Sequence, residues 1–231
     1  YFALGTDYDS AGKLRIINTM TSNPASLLDT RFFDDIPSNL KQTYISGIIN
    51  TIMGPQFLTD GGIRSRALKE AKLIPYWDYH GSYTSWPKET YDIAKGLRRQ
   101  GFPKLARQLE NRIINIVFKS RQYPEFIYVD SYGRVLTNSA GNRKHGEVVL
   151  IDSTNHPENL QAWTVSAMVA ITTRRIKHKL RLYKEPSSAS WQKDLEKRVM
   201  SEIPRVERLI NPIALAAKYP SYRYTLTKDK K

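Results

Sequence analysis

Residues 88–119, K-E-T-Y-D-I-A-K-G-L-R-R-Q-G-F-P-K-L-A-R-Q-L-E-N-R-I-I-N-I-V-F-K, decide how this chain folds. Up to Gln100 the stretch reads as an amphipathic helix. Gly101 then closes it, because glycine adopts the left-handed conformation of a helix end without steric penalty. Phe102-Pro103 restarts the helix, and the second segment runs to about Lys119. Leu105, Ala106, Leu109, Ile113, Ile116 and Val117 recur there at helical spacing. Two helices with so short a connection must lie antiparallel, as a hairpin.

Upstream, residues 1–8 and 14–19 read as extended runs around the turn Asp9-Ser10-Ala11-Gly12. Ser22-Asn23-Pro24 starts a short helical turn over residues 25–29. Pro37-Ser38 precedes a helix to about Ile52, with Leu40, Tyr44, Ile45, Ile48, Ile49 and Ile52 on one face. Residues 54–65 form a glycine-rich loop. It lacks the Lys-Ser/Thr of a phosphate-binding loop and has no helix directly behind it, which argues against nucleotide binding.

Downstream, residues 123–129 are extended and end at the turn Ser131-Tyr132-Gly133. A long polar loop follows, of a length that usually signals function or disorder. Residues 160–176 read as an apolar helix buried through Trp163, Ala167, Ala170 and Ile171. Residues 188–210 form a last amphipathic helix through Leu195, Val199, Ile203 and Val206, which Pro204 should kink or break. The predicted class is therefore all-α: helical hairpins joined by loops that carry aromatic and acidic residues. Residues 1–220 form one unit, and 221–231 are a basic tail.

The 231 residues suffice for a substantial core. Cysteine is absent, so there is no disulfide framework and no cysteine-based metal site or nucleophile. That fits a reducing compartment and predicts a cytoplasmic location. No apolar run has the roughly 20 residues of a membrane helix, and no signal peptide opens the chain. Because Tyr1 already stands in a strand-like run, the chain reads as a piece of something longer. The net charge of +14 is concentrated beyond residue 100, most densely at Arg174, Arg175, Lys177, His178, Lys179, Arg181 and Lys184. Such a run suits an anionic surface or nucleic acid, or simply a solvated helix face. It lies away from the aromatic loop, and nothing resembles a stacking platform for bases. A nucleic-acid partner is therefore disfavoured.

The segment in front of the hairpin, residues 77–87, is W-D-Y-H-G-S-Y-T-S-W-P. Aromatic rings interleaved with carboxylate and imidazole suit a carbohydrate: flat faces cover sugar C–H groups, and polar edges take hydroxyls. The same composition also suits a loop packed for stability. Candidate acids are Asp60, Asp78, Glu89, Asp92 and Glu125. Glu125 leads, because it follows Pro124 among Tyr123, Phe126 and Tyr128 and begins an extended segment. A surface carboxylate paired with Arg121 is its plain alternative. Asp92 is expected to face solvent from its helix. His80 lacks partners at metal-ligand spacing, so no metal and no cofactor are expected. No serine sits in a nucleophile elbow.

Four segments, in order, resemble the C-terminal part of the six-hairpin glycosidase superfamily, which includes glucoamylases, trehalases and the amylo-α-1,6-glucosidase domain of glycogen debranching enzymes. They are F-A-L-G-T-D … T-S-N-P-A-S-L-L (2–28), G-G-I-R-S (61–65), Y-H-G-S-Y-T-S-W-P … G-L-R-R-Q-G (79–101), and Y-P-E-F … G-R-V (123–135) with L-Q-A-W-T-V-S-A (160–167). The resemblance implies an (α/α) toroid, present here as its C-terminal half with short β segments at the rim. It also implies inverting hydrolysis of an α-glucosidic bond, which needs a protonated and an ionised carboxyl group about 6.5–9.5 Å apart. On the P-E-F match Glu125 is the general base. Arg64, Trp77, Asp78, Tyr79, His80, Trp86, Gln161 and Trp163 line the sugar pocket. The general acid belongs to an earlier hairpin, so a missing N-terminal part of the same protein is an expected partner beside the carbohydrate. Two departures stand out: Thr84-Ser85 lengthens the G-S-x-W-P spacing, and Glu89 stands where related sequences often have Asn or Asp. A non-catalytic carbohydrate-binding domain is the alternative, and a basic nucleic-acid-binding domain comes third.

Overall fold

The computed structural model describes residues 5–72, 81–136 and 158–209. They form a mostly helical structure with three small two-stranded antiparallel sheets. The helices are α1 (Ser38–Ile52), α2 (Pro87–Arg99), α3 (Pro103–Ser120), α4 (Ala162–Lys179) and α5 (Ser190–Leu209). A seven-residue 3-10 segment, Asn23–Asp29, precedes α1.

The α2–α3 hairpin forms as its punctuation predicts. Pro87 and Pro103 occupy the first turns of their helices, where a missing N–H costs nothing. At the end of α2, Gly101 takes φ +82°. Its N–H donates to the Arg98 carbonyl at 3.0 Å, while Phe102 N–H donates to the Leu97 carbonyl at 2.8 Å. These are the two bonds of a Schellman closure, and Leu97 and Phe102 supply its apolar contact. The hairpin packs with α1, α5 and the 3-10 segment around one core. Ile45, Ile49, Ile93, Leu97, Phe102, Leu105, Leu109, Leu195 and Val199 are buried in it, with Leu28, Phe33 and Phe57 filling the gaps. Gly96 sets the approach of α2 to the 3-10 segment: a Cβ there would lie 2.6 Å from the Leu28 Cβ and 2.8 Å from the Asp29 backbone nitrogen.

The strands are short and serve as clips. β1 (Gly5–Tyr8) and β2 (Leu14–Ile17) form a hairpin. β3 (Leu58–Thr59) pairs with β4 (Gly62–Ile63), and β5 (Thr84–Ser85) pairs with β6 (Ile127–Tyr128). Single bridges join Thr21 to Arg66, Arg64 to Ser85 and Tyr123 to Leu160. Together they tie the start of α2, the end of the glycine-rich segment and the approach to α4 into one ledge.

Several expectations need correction. Residues 54–65 are not an open loop but contain the β3–β4 hairpin. In α1, Leu40 and Tyr44 are exposed, and burial begins at Ile45. In α4 only Thr164, Ala167 and Ile171 are buried, while Trp163, Val169 and Ile176 are exposed. The helix is therefore half-solvated rather than buried. α5 runs unbroken past position 204 to Leu209, so Pro204 does not end it. Among the described residues no helix is long and apolar enough to cross a membrane. The expected polar loop at 137–157 and the tail at 221–231 lie outside the described residues.

Candidate functional site

The ledge and the first turns of α2 enclose a cleft of about 500 Å³. Ser22, Asn23 and Ser26 come from the 3-10 segment and its cap. Ser65 and Arg66 follow β4, while Lys88, Glu89, Asp92 and Ile93 come from the start of α2. Trp86 and Trp163 supply the rings. The bridge between Thr21 and Arg66, and the Ser22 N–H donating to the Ser65 carbonyl at 3.0 Å, hold the two serines side by side.

Glu89 sits above them. Its carboxyl accepts a short hydrogen bond from the Ser22 hydroxyl and a 3.3 Å bond from the Ser65 hydroxyl. Burial pushes its pKa above the ordinary carboxylate value of 4.5. The two serine hydrogen bonds and the Lys88 charge pull the other way and offset only part. Asp92, one turn on, is tied to Lys88 at 2.7 Å and Lys95 at 3.8 Å. The cleft therefore holds two carboxyl groups in different surroundings: Asp92 lies beside two ammonium groups, and Glu89 is held by hydroxyls and drawn by burial toward its neutral form.

The aromatic side is a run of four rings. Trp163 and Trp86 have centroids 6.4 Å apart and an interplanar angle of 31°. Trp86 packs on Phe126 at 5.3 Å, and Phe126 meets Tyr128 edge-on at 5.4 Å. Trp86 is buried and Trp163 is 44 % exposed, so the outer indole is open to the cleft and solvent while the inner one is fixed. Burying Trp86 and Phe126 fixes the platform.

The sequence-predicted residues divide clearly. Trp86 and Trp163 line the cleft. Arg64 does not: its side chain is fully buried, and its guanidinium donates to the carbonyls of Ser82 at 2.6 Å and Asp130 at 2.7 Å. It is a strut between two loops rather than a pocket wall. Gln161 is also buried. It stands at the start of α4 and donates from Nε2 to the Glu158 carboxylate at 2.8 Å. Glu125 is half-buried beside it, its N–H donating to the Glu158 carbonyl at 2.9 Å. Glu125 is not among the described residues lining the cleft, although the adjacent Phe126 packs under Trp86. Asp60 is exposed, 3.4 Å from Arg112. Trp77, Asp78, Tyr79 and His80 lie outside the described residues. The sequence alone did not single out Ser22, Ser65 or Arg66, and it offered Glu89 only as one of five candidate acids. The signal lay in T-S-N-P (21–24), I-R-S (63–65) and the run Trp86-Pro87-Lys88-Glu89, but only the fold brings them together.

Among the described residues no group of three or more His, Asp or Glu side chains could hold a metal ion. Comparison with protein-family models, with curated proteins and with solved structures finds no match.

Proposed function

We propose that the chain belongs to a carbohydrate-active enzyme and that this cleft takes a sugar. One observation carries the reading. Segments around residues 22, 65, 86 and 163 converge on one cleft with an indole platform, a half-buried carboxyl and hydroxyl donors. Those are the segments that resemble the six-hairpin glycosidases. A pyranose ring stacked on Trp163 would turn its hydroxyls toward Glu89, Asp92 and Asn23. On this reading the helical hairpins are part of an (α/α) toroid. The reaction is inverting hydrolysis of an α-glucosidic bond, of the debranching type. Glu125 serves as the general base and removes a proton from the attacking water as it adds to the anomeric carbon. An earlier hairpin supplies the protonated acid, which donates to the leaving oxygen.

A second reading, a non-catalytic carbohydrate-binding domain, is favoured by the position of Glu125 outside the described cleft lining. Two measurements separate them. The chain should bind malto-oligosaccharide with a change in tryptophan fluorescence, and Trp163→Ala should abolish that change. Absence of any such binding would end both readings. In a protein that includes the earlier hairpin, Glu125→Gln should eliminate release of reducing sugar while leaving oligosaccharide binding intact. Full activity in that variant would refute the base assignment.

A further inference from the structure

The densest basic run of the sequence meets two other helices at the far end of α2 from the cleft. Arg98 from α2, Arg107 and Glu110 from α3, Arg174, Arg175 and His178 from α4, and Glu185 line a second pocket of about 270 Å³. At roughly 30 Å³ per water, that is room for a tetrahedral oxyanion and several waters.

Its charges do not balance. Glu110, 1 % exposed, is the buried centre. It accepts from Arg98 Nη2 at 2.9 Å, is paired with Arg174, and has Arg175 at 3.8 Å. Glu185 pairs with the other side of Arg98. Two carboxylates therefore face four guanidiniums and an imidazole. Donors exceed acceptors as well: Arg98 is buried, and its Nε has no hydrogen-bond partner among the described residues. A buried donor left unpaired is costly. At the mouth, Arg107 and His178 are exposed, and Arg175 is 39 % exposed, held by Asn111 at 2.7 Å. Burial, together with the charges of Arg174, Arg107 and Arg98, holds the Arg175 guanidinium below its ordinary value despite Glu110. An interior pair network would close upon itself; this one opens to solvent with cations uncompensated.

We propose that this pocket binds a phosphate dianion, free or as the terminal group of a small monoester. The excess of two positive charges matches a phosphate, which carries about −1.5 to −2 at neutral pH. Planar guanidinium forks suit its paired oxygens. The pocket is concave, and among the described residues no Phe, Tyr or Trp lines it, which separates it from a surface for stacked bases or a flat membrane. Lys177 and Lys179, on the same helix, do not line it.

The test is titration calorimetry with inorganic phosphate at constant ionic strength. The proteins are the unaltered chain, the double variant Arg107→Gln/Arg175→Gln, and the control Lys177→Gln/Lys179→Gln. These four side chains are partly or fully exposed, so the fold should survive, and circular dichroism checks it. The expected result is saturable binding tighter than about 1 mM, lost by about tenfold or more in the arginine variant and unchanged in the lysine control. A small phosphate monoester competing at the same site identifies the monoester form, whereas phosphate alone supports the free anion. No saturable binding, or equal losses in both variants, would overturn the proposal. So would binding seen only with anionic lipid vesicles.

Discussion

Replacing Glu89 with glutamine should change how stability depends on pH. The carboxyl is pushed above its ordinary value of 4.5, chiefly by burial. In the unfolded chain it returns to that value. Between the unfolded and the folded pKa, the folded state therefore holds more protons, and stability must fall as pH rises through that window. The slope reaches at most about 1.4 kcal/mol per pH unit for one group. Below the unfolded value both states are protonated and the contribution is fully present. Above the folded value the loss is complete and the curve is flat again.

Glutamine has nearly the same shape and can still accept from Ser22 or Ser65, but it does not titrate. The variant should match the parent within about 1 kcal/mol below pH 4, where it replaces one neutral hydrogen-bonded group with another. As pH rises it should become the more stable of the two. Each 1 kcal/mol gained would raise the melting temperature by roughly 2–4 °C for a chain of this size. Urea unfolding at half-unit steps from pH 4 to 8 measures the difference. Two parallel curves would refute the reasoning: Glu89 would then titrate as an ordinary solvated carboxylate, and the serines would be holding an ion. Ser22→Ala should widen the window, because it removes a bond that favours the ionised form.

The two tryptophans should separate binding from stability. Trp163→Ala, at a half-exposed ring, should weaken oligosaccharide binding by about tenfold or more with little loss of stability, whereas buried Trp86→Ala should cost about 3–5 kcal/mol in urea unfolding. Gly96→Ala should destabilise by roughly 1–3 kcal/mol or more, because the new methyl meets Leu28 and the Asp29 backbone rather than a movable side-chain tip. Glu110→Gln should cost about 3–5 kcal/mol, since it leaves Arg98 and Arg174 buried without their counter-charge, and added phosphate should recover part of that loss.

Most helices were legible because their signals are local. The Gly101-Phe102-Pro103 junction carries both a stop and a start, and the face from Leu105 to Val117 is buried as its spacing predicts. Burial of whole faces was less legible, because an apolar stripe says that a partner would be favourable and not that one is present. Leu40 and Tyr44 in α1 and Val169 and Ile176 in α4 follow helical spacing yet stay exposed among the described residues. The β3–β4 hairpin was hidden for another reason: two-residue strands are too short to alternate, so glycine content dominated the reading of 54–65. The cleft was half legible. Trp86 and Trp163 are conspicuous by type, but Ser22 and Ser65 gain meaning only from Glu89, 67 and 24 residues further along.

Helix α2 joins these levels. It bears Glu89 in its first turn and Arg98 and Arg99 in its last, so each end carries the charge that complements the helix dipole. A carboxylate at a helix start, with two hydroxyl donors and an ammonium nearby, would ordinarily be held below its usual pKa. Burial overrides all of these at Glu89, because desolvation acts on the whole charge while each hydroxyl and the dipole supply only part of one. The cleft walls beside Glu89 are Trp86, packed on Phe126, and the Ser22–Ser65 pair, clipped by the Thr21–Arg66 bridge. Loosening either wall should therefore lower the Glu89 pKa without touching the carboxyl itself. Phe126→Leu, which leaves the indole free to tilt and water to enter, should shift the stability window of Glu89 toward pH 4.5. An unshifted window would mean that the serines rather than the rings set the environment of the carboxyl.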